Sequence, residues 1–481
     1  MIFNNIDIFG NPSHMVMDPV HGGIEFFSHE RAIIDHPNFQ RLRHIKQNDV
    51  LHLVFPGANH SRFEHSIGTM HVAGRIFKSM LRNYFTEKKL EEKIVLNEDI
   101  TASIQYCYAC LRAAALLHDT GHFPFSHQFE ASPFGKSILH DKDVTTNLQS
   151  RFGHLFETSC EEVSHEHMSI VSANCILASI PDLPIDPTDV ISIMEHGAIV
   201  PSDQFISCAR EVLGIFIDRV LLDKFPKKQI AKKVIKLLKD VISGEIDADK
   251  MDYLLRDSYY TGCNYGLYNI DHIIRNIFAG YDTITNAADP WIGIAIHKKG
   301  IGGLEDFVYS RFRMYLQVYN HKTVIGLKWI LQQAVSEVAN TDLHQLVKES
   351  IADPTVFKHL TDDFFLERFR QHANANAKSA CRALTDRKVL PFLRSVKTPD
   401  SHVKERFKRE LMQDNPGMNI IYYESASKFS KIKPKYDRIR ILSINKALQK
   451  RQLESIAENS NFFEKFDDIT EVHYYNAPNY C

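Results

Sequence analysis

Residues 118–127 read His-Asp-Thr-Gly-His-Phe-Pro-Phe-Ser-His, which puts the imidazoles of His118, His122 and His127 and the carboxylate of Asp119 within ten positions. Imidazole and carboxylate groups hold a divalent cation and leave coordination positions open for water or a phosphate oxygen. Residues at other places offer the same donors. His65, His118, Asp119 and Asp249 together would supply two imidazoles and two carboxylates to one octahedral ion, with two positions left for water and substrate. Each has a plainer reading. His118 continues an apolar helical face, where a lone histidine can be a hydrogen-bonded core residue. Asp249, in Asp247-Ala-Asp-Lys-Met-Asp-Tyr253, can be a helix cap or a surface charge. The Asp-x-Asp spacing lacks the glycine and terminal glutamate of a calcium loop.

Further along the second block, Asp249, Tyr253, Arg256 or Asp257, and Tyr260 recur at three- and four-residue intervals, one face of a helix. Such a face packs poorly against a core and suits a phosphorylated sugar, with Lys250 on phosphate and Tyr253 and Asp257 on hydroxyls. Arg311, Tyr315 and Tyr319 repeat the spacing on a later stretch, although an aromatic stripe alone reads equally as core.

The elements that must position these groups follow from periodicity and punctuation. A helix capped near Asp99 or Thr101 turns Ile104, Cys107, Tyr108, Leu111 and Ala115 inward and reaches His118 at its end. Gly121 is then expected to terminate it in the left-handed conformation. Asp18 to Gly23 reads as a turn, and Asp35-His36-Pro37 as a helix start. Pro56 to Asn59 breaks the chain before Arg62-Phe-Glu-His65, and a helix follows with Ile67, Met70, Ile76, Phe77, Met80 and Leu81 as its apolar stripe. Lys88 to Lys93 is a charged connection. Residues 137–168 read as loops with short helices, and Ile185 to Val241 as helix interrupted at Pro201. Lys224 to Lys239 reads as a solvated face over Ile230, Val234, Leu237 and Leu238. Leu304 to Trp329 is predicted as one long helix, and Trp291–Ile296, Asn419–Tyr423 and Arg438–Ser443 as strands. The fold is expected to be mainly α, with a helical core over residues 1–340 and a smaller α+β lobe over 341–481, where lysine, arginine and proline become more frequent.

At 481 residues the chain has room for a large core, and 44% hydrophobic with 24% charged residues is ordinary globular composition. The net charge of −2 supplies no global field for nucleic acid or membrane, so any anion site must be local. Cys107 and Cys110 form the only close cysteine pair and have no second pair to complete a zinc site, so they read as core thiols. No uncharged apolar run approaches membrane-spanning length, and Met1 to Asn5 lacks signal-peptide character. A reducing cytoplasm is the expected compartment.

The set His65, His118-Asp119 and Asp249 resembles the HD-domain metal-dependent phosphohydrolases. Flanking blocks narrow the likeness: Asp18-Pro-Val-His-Gly22, Phe39-Gln-Arg-Leu-Arg43, Phe55-Pro-Gly57, Arg62-Phe-Glu-His-Ser66, His118-Asp-Thr-Gly-His122, Pro124-Phe-Ser-His127, Asp247 to Tyr253 and Tyr319-Asn-His-Lys322. In order and spacing, over roughly residues 14–330, they resemble the deoxynucleoside triphosphate triphosphohydrolases, in the branch containing the human sterile-alpha-motif and HD-domain dNTPase and its bacterial relatives. The resemblance implies cleavage of a dNTP at the α-phosphorus to deoxynucleoside and triphosphate. It implies a divalent ion (Mg, Mn or Fe) on His65, His118, Asp119 and Asp249. His127 matches the general acid, and His122 and His165 match groups on phosphate oxygens. Arg62, Lys250 and Arg311 match triphosphate-binding positions, Gln47, Tyr253 and Asp257 hold the 3′-hydroxyl, and Tyr319 lies under the sugar. Asp35, Gln40 and Arg43 match a site for an activating guanine nucleotide, with a helix cap and surface charge as the plainer reading. Asn48 and Asn320 depart from the family's leucine and glutamine beside the sugar. The resemblance further implies a homo-oligomer, a tetramer in preference, while the charge balance and apolar runs lead to the expectation of no membrane partner. An HD-type nucleotidase or phosphodiesterase is the alternative, and a non-catalytic nucleic-acid-binding scaffold that uses the basic C-terminal lobe is a third reading, with weak nucleic-acid binding able to accompany the enzyme.

Overall fold

The computed structural model describes residues 8–88, 97–156, 160–195, 199–217, 222–282, 291–427, 439–445, 450–456, 459–464 and 469–478. Most of the charged connection expected at Lys88 to Lys93 lies outside them. The centre is a pair of helices, Arg62–Lys88 and Glu98–Leu117, packed on one another and on Asp203–Phe216, Lys227–Ser243 and Ala248–Thr261. Glu98–Leu117 is apolar enough and long enough to cross a membrane by composition, but 78% of that window is buried inside the protein. A helix apolar on all sides is a core helix when neighbours cover it. Its cap is Asn97, whose side chain accepts from Ile100 N at 2.8 Å, two residues ahead of the nearest cap expected from sequence. Cys107 and Cys110 are free and buried in it.

Ile67, Met70, Ile76, Phe77, Met80 and Leu81 are all buried along Arg62–Lys88. Residues 185–241 resolve into Pro187–Met194, Asp203–Phe216 and Lys227–Ser243, with Ile230, Val234, Leu237 and Leu238 buried beneath the lysines of the last. Residues 137–168 hold more helix than expected, Lys142–Phe152 and the start of His165–Ser179. The single helix expected over Leu304 to Trp329 is two: Ile301–Met314 runs into a π-helical turn at Tyr315–Tyr319, and the chain then restarts at Lys322–Glu337. His321 caps that restart, its ring accepting from Thr323 N at 3.3 Å. Periodicity alone does not register such a break, because the apolar spacing resumes on both sides.

Among the described residues, three sheets complete the fold. His14–Asp18 and Gly22–Phe26 form an antiparallel hairpin around the turn expected at Asp18. A four-stranded sheet runs Ile277–Asp282, Trp291–His297, Arg440–Asn445, Lys450–Ser455, its middle pair parallel and the outer pairs antiparallel. A three-stranded antiparallel sheet places Ile469–Asn476 between Phe392–Lys397 and Ile420–Ser427. The chain is therefore mainly helical with a mixed C-terminal part. Sequence on either side of residue 340 nevertheless shares the four-stranded sheet and one hydrophobic core.

Candidate active site

Three helices bring the four expected cation ligands near one another. His65 sits in the first turn of Arg62–Lys88, His118 caps the C-terminus of Glu98–Leu117, Asp119 follows it, and Asp249 lies in the first turn of Ala248–Thr261. The cap of that last helix is Asp247, which accepts from Lys250 N at 2.7 Å, so Asp249 is free of capping duty. His65 Nε2 stands 3.1 Å from Asp249 Oδ1 and 3.7 Å from Asp119 Oδ2. His118 Nε2 stands 3.3 Å from Asp119 Oδ1 and 3.9 Å from Asp249 Oδ1. Both Nε2 atoms are buried, and neither is aligned for a hydrogen bond.

The second ring nitrogens explain which atoms are available. His118 Nδ1 is 2.8 Å from the carbonyl of Ala115, an acceptor, so Nδ1 carries the hydrogen and Nε2 keeps its lone pair. His65 Nδ1 is likewise 2.8 Å from Asp252 Oδ2. Two buried ring nitrogens beside two carboxylates fit a divalent cation, and the partners on the far side of each ring are the kind that orient metal-binding histidines. Among the described residues, the donor atoms of His65, His118 and Asp119 lie within 4.8 Å of one another.

Sequence reasoning missed the group that fixes His65. Asp252 accepts from Arg256 Nε and Nη2 at 2.9 Å each and bonds His21 Nε2 at 2.7 Å, while Arg256 Nη1 reaches Asp18 Oδ2 at 2.8 Å. Asp18 in turn accepts from the backbone of Val20 and His21 at 2.9 Å. This buried network gives the Asp18-Pro-Val-His block its physical reason. It also corrects Arg256, which turns away from the ligand face into ion pairs. Gly68 makes room for it, because a Cβ there would lie 1.9 Å from Asp252 Oδ1. The signal in the sequence was the Asp252 to Arg256 spacing of four, a helical salt-bridge interval.

Gly121 serves a different purpose from the one expected. It is absent from the residues of positive φ, and a Cβ on it would fall 1.9 Å from Ser169 N and 2.6 Å from His165 O. Close approach of the helix His165–Ser179, rather than a left-handed turn, requires glycine here. That approach stacks His165 on His122 with centroids 4.1 Å apart. Donor atoms of His122, His127 and His165 lie within 4.8 Å of one another, and His122 Nε2 is 3.2 Å from Asp119 Oδ1. Glu130, also missed, bridges two of them: Oε2 meets His127 Nδ1 at 3.2 Å, and Oε1 meets His165 Nδ1 at 3.0 Å and its backbone N–H at 2.9 Å. His127 is 64% exposed and His122 only 3%, so one ring opens to solvent and the other is enclosed.

Charge is distributed accordingly. Burial opposes ionisation of Asp119, but His118, Arg62 and His122 hold its carboxyl well below the usual range. Asp249 is lowered against burial by His65 and His118. Burial lowers His65, yet the carboxylates of Asp249 and Asp252 outweigh it and raise the imidazole to about 10. Burial, Arg62 and His165 push His122 well below its ordinary value, so its ring is neutral near pH 7.

Arg62 bonds the Asp119 carboxylate and donates from Nε to Ser126 Oγ at 2.9 Å. Lys250 Nζ bonds the Asp247 carboxylate and the carbonyl of Gly244 at 2.9 Å. Arg311 is hydrogen-bonded to Tyr253 and lies 5.1 Å over the Tyr315 ring, with its Nε buried and unpaired. Tyr319 donates to Asp257 Oδ2 at 2.5 Å, and His60 Nε2 meets Asp257 Oδ1 at 2.7 Å. Among the described residues, Gln47 Oε1 and Asn48 Nδ2 are buried and have no hydrogen-bond partner. Asp35, Gln40 and Arg43 make other contacts. Arg43 Nε donates to Gln40 Oε1 at 2.8 Å and its guanidinium covers the Phe63 ring at 3.5 Å, whereas Asp35 pairs with Arg31 at 3.3 Å.

Residues 62–189 match the HD domain family. The chain is 29% identical over 359 residues to an uncharacterized protein of Methanocaldococcus jannaschii, covering 74% of this chain and 57% of that one. It is 26% identical over 374 residues to the deoxynucleoside triphosphate triphosphohydrolase SAMHD1 of Homo sapiens, covering 75% of this chain and 51% of that one. A solved structure of a phosphohydrolase from Bacteroides thetaiotaomicron shares the fold with a TM-score of 0.65 at 21% identity, covering 97% of this chain and 100% of that one. The chain thus spans between half and three fifths of the length of the curated relatives it matches. Residues 62–189 are an HD domain, and the chain is related by sequence to the HD-domain deoxynucleoside triphosphate triphosphohydrolases.

Proposed function

We propose that this protein is a metal-dependent phosphohydrolase that cleaves deoxynucleoside triphosphates at the α-phosphorus, releasing deoxynucleoside and triphosphate. The observation that carries the reading is the pair of buried, unpaired Nε2 atoms on His65 and His118 beside Asp119 and Asp249, next to a three-histidine cluster. The cation, when bound, polarises a phosphoryl oxygen and orients water. The chain's own residues do the rest. Water attacks phosphorus and gives up its proton to solvent, the bond to the 5′ oxygen breaks, and His127, anchored by Glu130 through Nδ1, delivers a proton to that oxygen from Nε2 and is reprotonated from solvent. His122 and His165 hold phosphate oxygens. Arg62 and Arg311 offset the charge that spreads into the departing triphosphate, and Lys250 joins them by exchanging Asp247 for phosphate. Gln47, Tyr253 and Asp257 take the 3′-hydroxyl, and the Tyr319 ring, tied to Asp257, crowds the position of a ribose 2′-hydroxyl.

The reading extends to regulation: a guanine nucleotide activates from the Gln40 and Arg43 pair with Asp35 beside it, in a homo-oligomer, most simply a tetramer. The test is a panel of dNTPs and NTPs, alone and in pairs, with Mg, Mn or Fe and identification of products. Intact triphosphate from dNTPs, stimulated by a guanine nucleotide, is the expected result. Orthophosphate, pyrophosphate or inertness toward every dNTP rejects it in favour of another phosphate ester.

A further inference from the structure

The turn that leads into His127 is held in an unfavourable backbone conformation. Phe125 has φ +56° and Ser126 φ +54° with ψ −132°, regions that L side chains enter at an energetic cost and that glycine enters freely. Ser126 is the N-cap of the short helix His127–Ala131, so these dihedrals set the direction of the helix carrying both His127 and Glu130. Something outside the turn must over-determine it.

That support comes from residues 357–369. Asp362, at the start of the helix Asp362–Ala375 and 3% exposed, accepts from Phe125 N at 2.6 Å through Oδ1 and from Lys46 N at 2.9 Å through Oδ2. Beside it Arg41, 2% exposed, donates from Nε to Leu360 O at 2.9 Å and from Nη2 to His122 O at 2.7 Å, its guanidinium 4.1 Å over the Phe357 ring. The Phe125 ring stacks on Phe369 at 5.8 Å and meets Phe365 edge-on at 6.1 Å. Ser126 Oγ closes the turn, donating to Lys46 O at 3.1 Å.

We infer that Asp362, assisted by Arg41, is a positioning residue that holds the strained turn 123–126 so that His127 and Glu130 meet His122 and His165. The catalytic consequence rests on the role proposed for His127, while the structural one does not. The chemistry of the residue type supports it. Two N–H donors from segments far apart in sequence require two acceptors at one point, and a carboxylate supplies both. An asparagine supplies one and confronts the other N–H with its own donors. Displacement of a catalytic group by about 1 Å can cost about a hundredfold in rate.

The experiment compares the parent chain with Asp362→Asn and Asp362→Glu by amide hydrogen exchange, metal content and steady-state kinetics. In Asp362→Asn, exchange over residues 123–131 should quicken by about tenfold or more while helices Arg62–Lys88 and Glu98–Leu117 exchange as in the parent. Triphosphate release should lose about tenfold or more in kcat with KM within about twofold and metal occupancy unchanged. Glutamate, which keeps two acceptors, should recover part of the loss. Unchanged exchange over 123–131, or an equal rise across the whole chain, overturns the inference. Should Asp362→Asn fail to fold, Asp362→Glu carries the same comparison. If the parent hydrolyses no dNTP, the proposed function fails, and the exchange pattern still decides the clamp.

Discussion

Loading a divalent ion should expel a proton from His65. Without the cation, Asp249 and Asp252 outweigh burial and raise this imidazole to about 10, so at pH 7 its Nε2 carries a proton facing Asp249. A metal requires that nitrogen bare. Removing the proton at pH 7 costs about 4 kcal/mol, taking about 1.4 kcal/mol for each pH unit below the folded value. Binding should therefore release about one proton per ion at pH 7, and affinity should climb about tenfold per pH unit until the pH nears 10. Titration calorimetry in two buffers of different ionisation heat measures the proton directly. Stability carries the same signature. A pKa raised from 6.5 to about 10 favours the folded metal-free chain by up to about 5 kcal/mol. That contribution is complete below pH 6.5 and disappears as pH rises toward 10. The melting temperature of the metal-free chain should fall across that window, and that of the loaded chain should not follow it. Proton-free binding with a flat pH dependence would refute the premise that His65 must shed a proton to admit the ion.

Three further outcomes are expected. Asp249→Ala should lose bound metal and turnover yet keep its circular dichroism, since its helix is capped by Asp247 and anchored by buried Met251 and Leu254; parental rate at full metal occupancy contradicts this. Gly121→Ala should destabilise by about 1–3 kcal/mol or more, because the added methyl meets the backbone of Met168 and Ser169; an unchanged thermal melt would show that the helix His165–Ser179 can yield. Arg43→Ala should blunt activation by guanine nucleotides with metal content unaltered, and superimposable activation curves for variant and parent would remove the regulatory site.

What could be read in the sequence was whatever is encoded locally. The apolar stripe ending at His118, the turn at Asp18 and the strands near 291, 420 and 440 depend on neighbours within a few residues, and all formed. The convergence of His65, His118 and Asp119 with Asp249 came from resemblance, since no periodicity links positions so far apart. The orienting carboxylates escaped for that reason: Asp252 answers His21 and His65, and Glu130 answers His165, across folds of the chain. Gly121 shows the limit of local rules in another way. A glycine after a helix reads as a terminator, whereas here a second helix lies against it. The π-helical turn at Tyr315–Tyr319 was hidden because one extra residue per turn leaves the apolar count almost unchanged.

The parallel pairing of Trp291–His297 with Arg440–Asn445 has a bearing on how the chain is made and cut. Ala295 must wait for Arg440, roughly 145 residues later, before that flank of its strand is satisfied. Throughout that interval a nascent polypeptide offers unpaired amides and carbonyls to any other strand nearby, a known route to misassembly. Truncations ending near residue 340, however natural they look as domain boundaries, would make that bareness permanent. They should be recovered as aggregates, even though His65, His118, Asp119 and Asp249 are all still present.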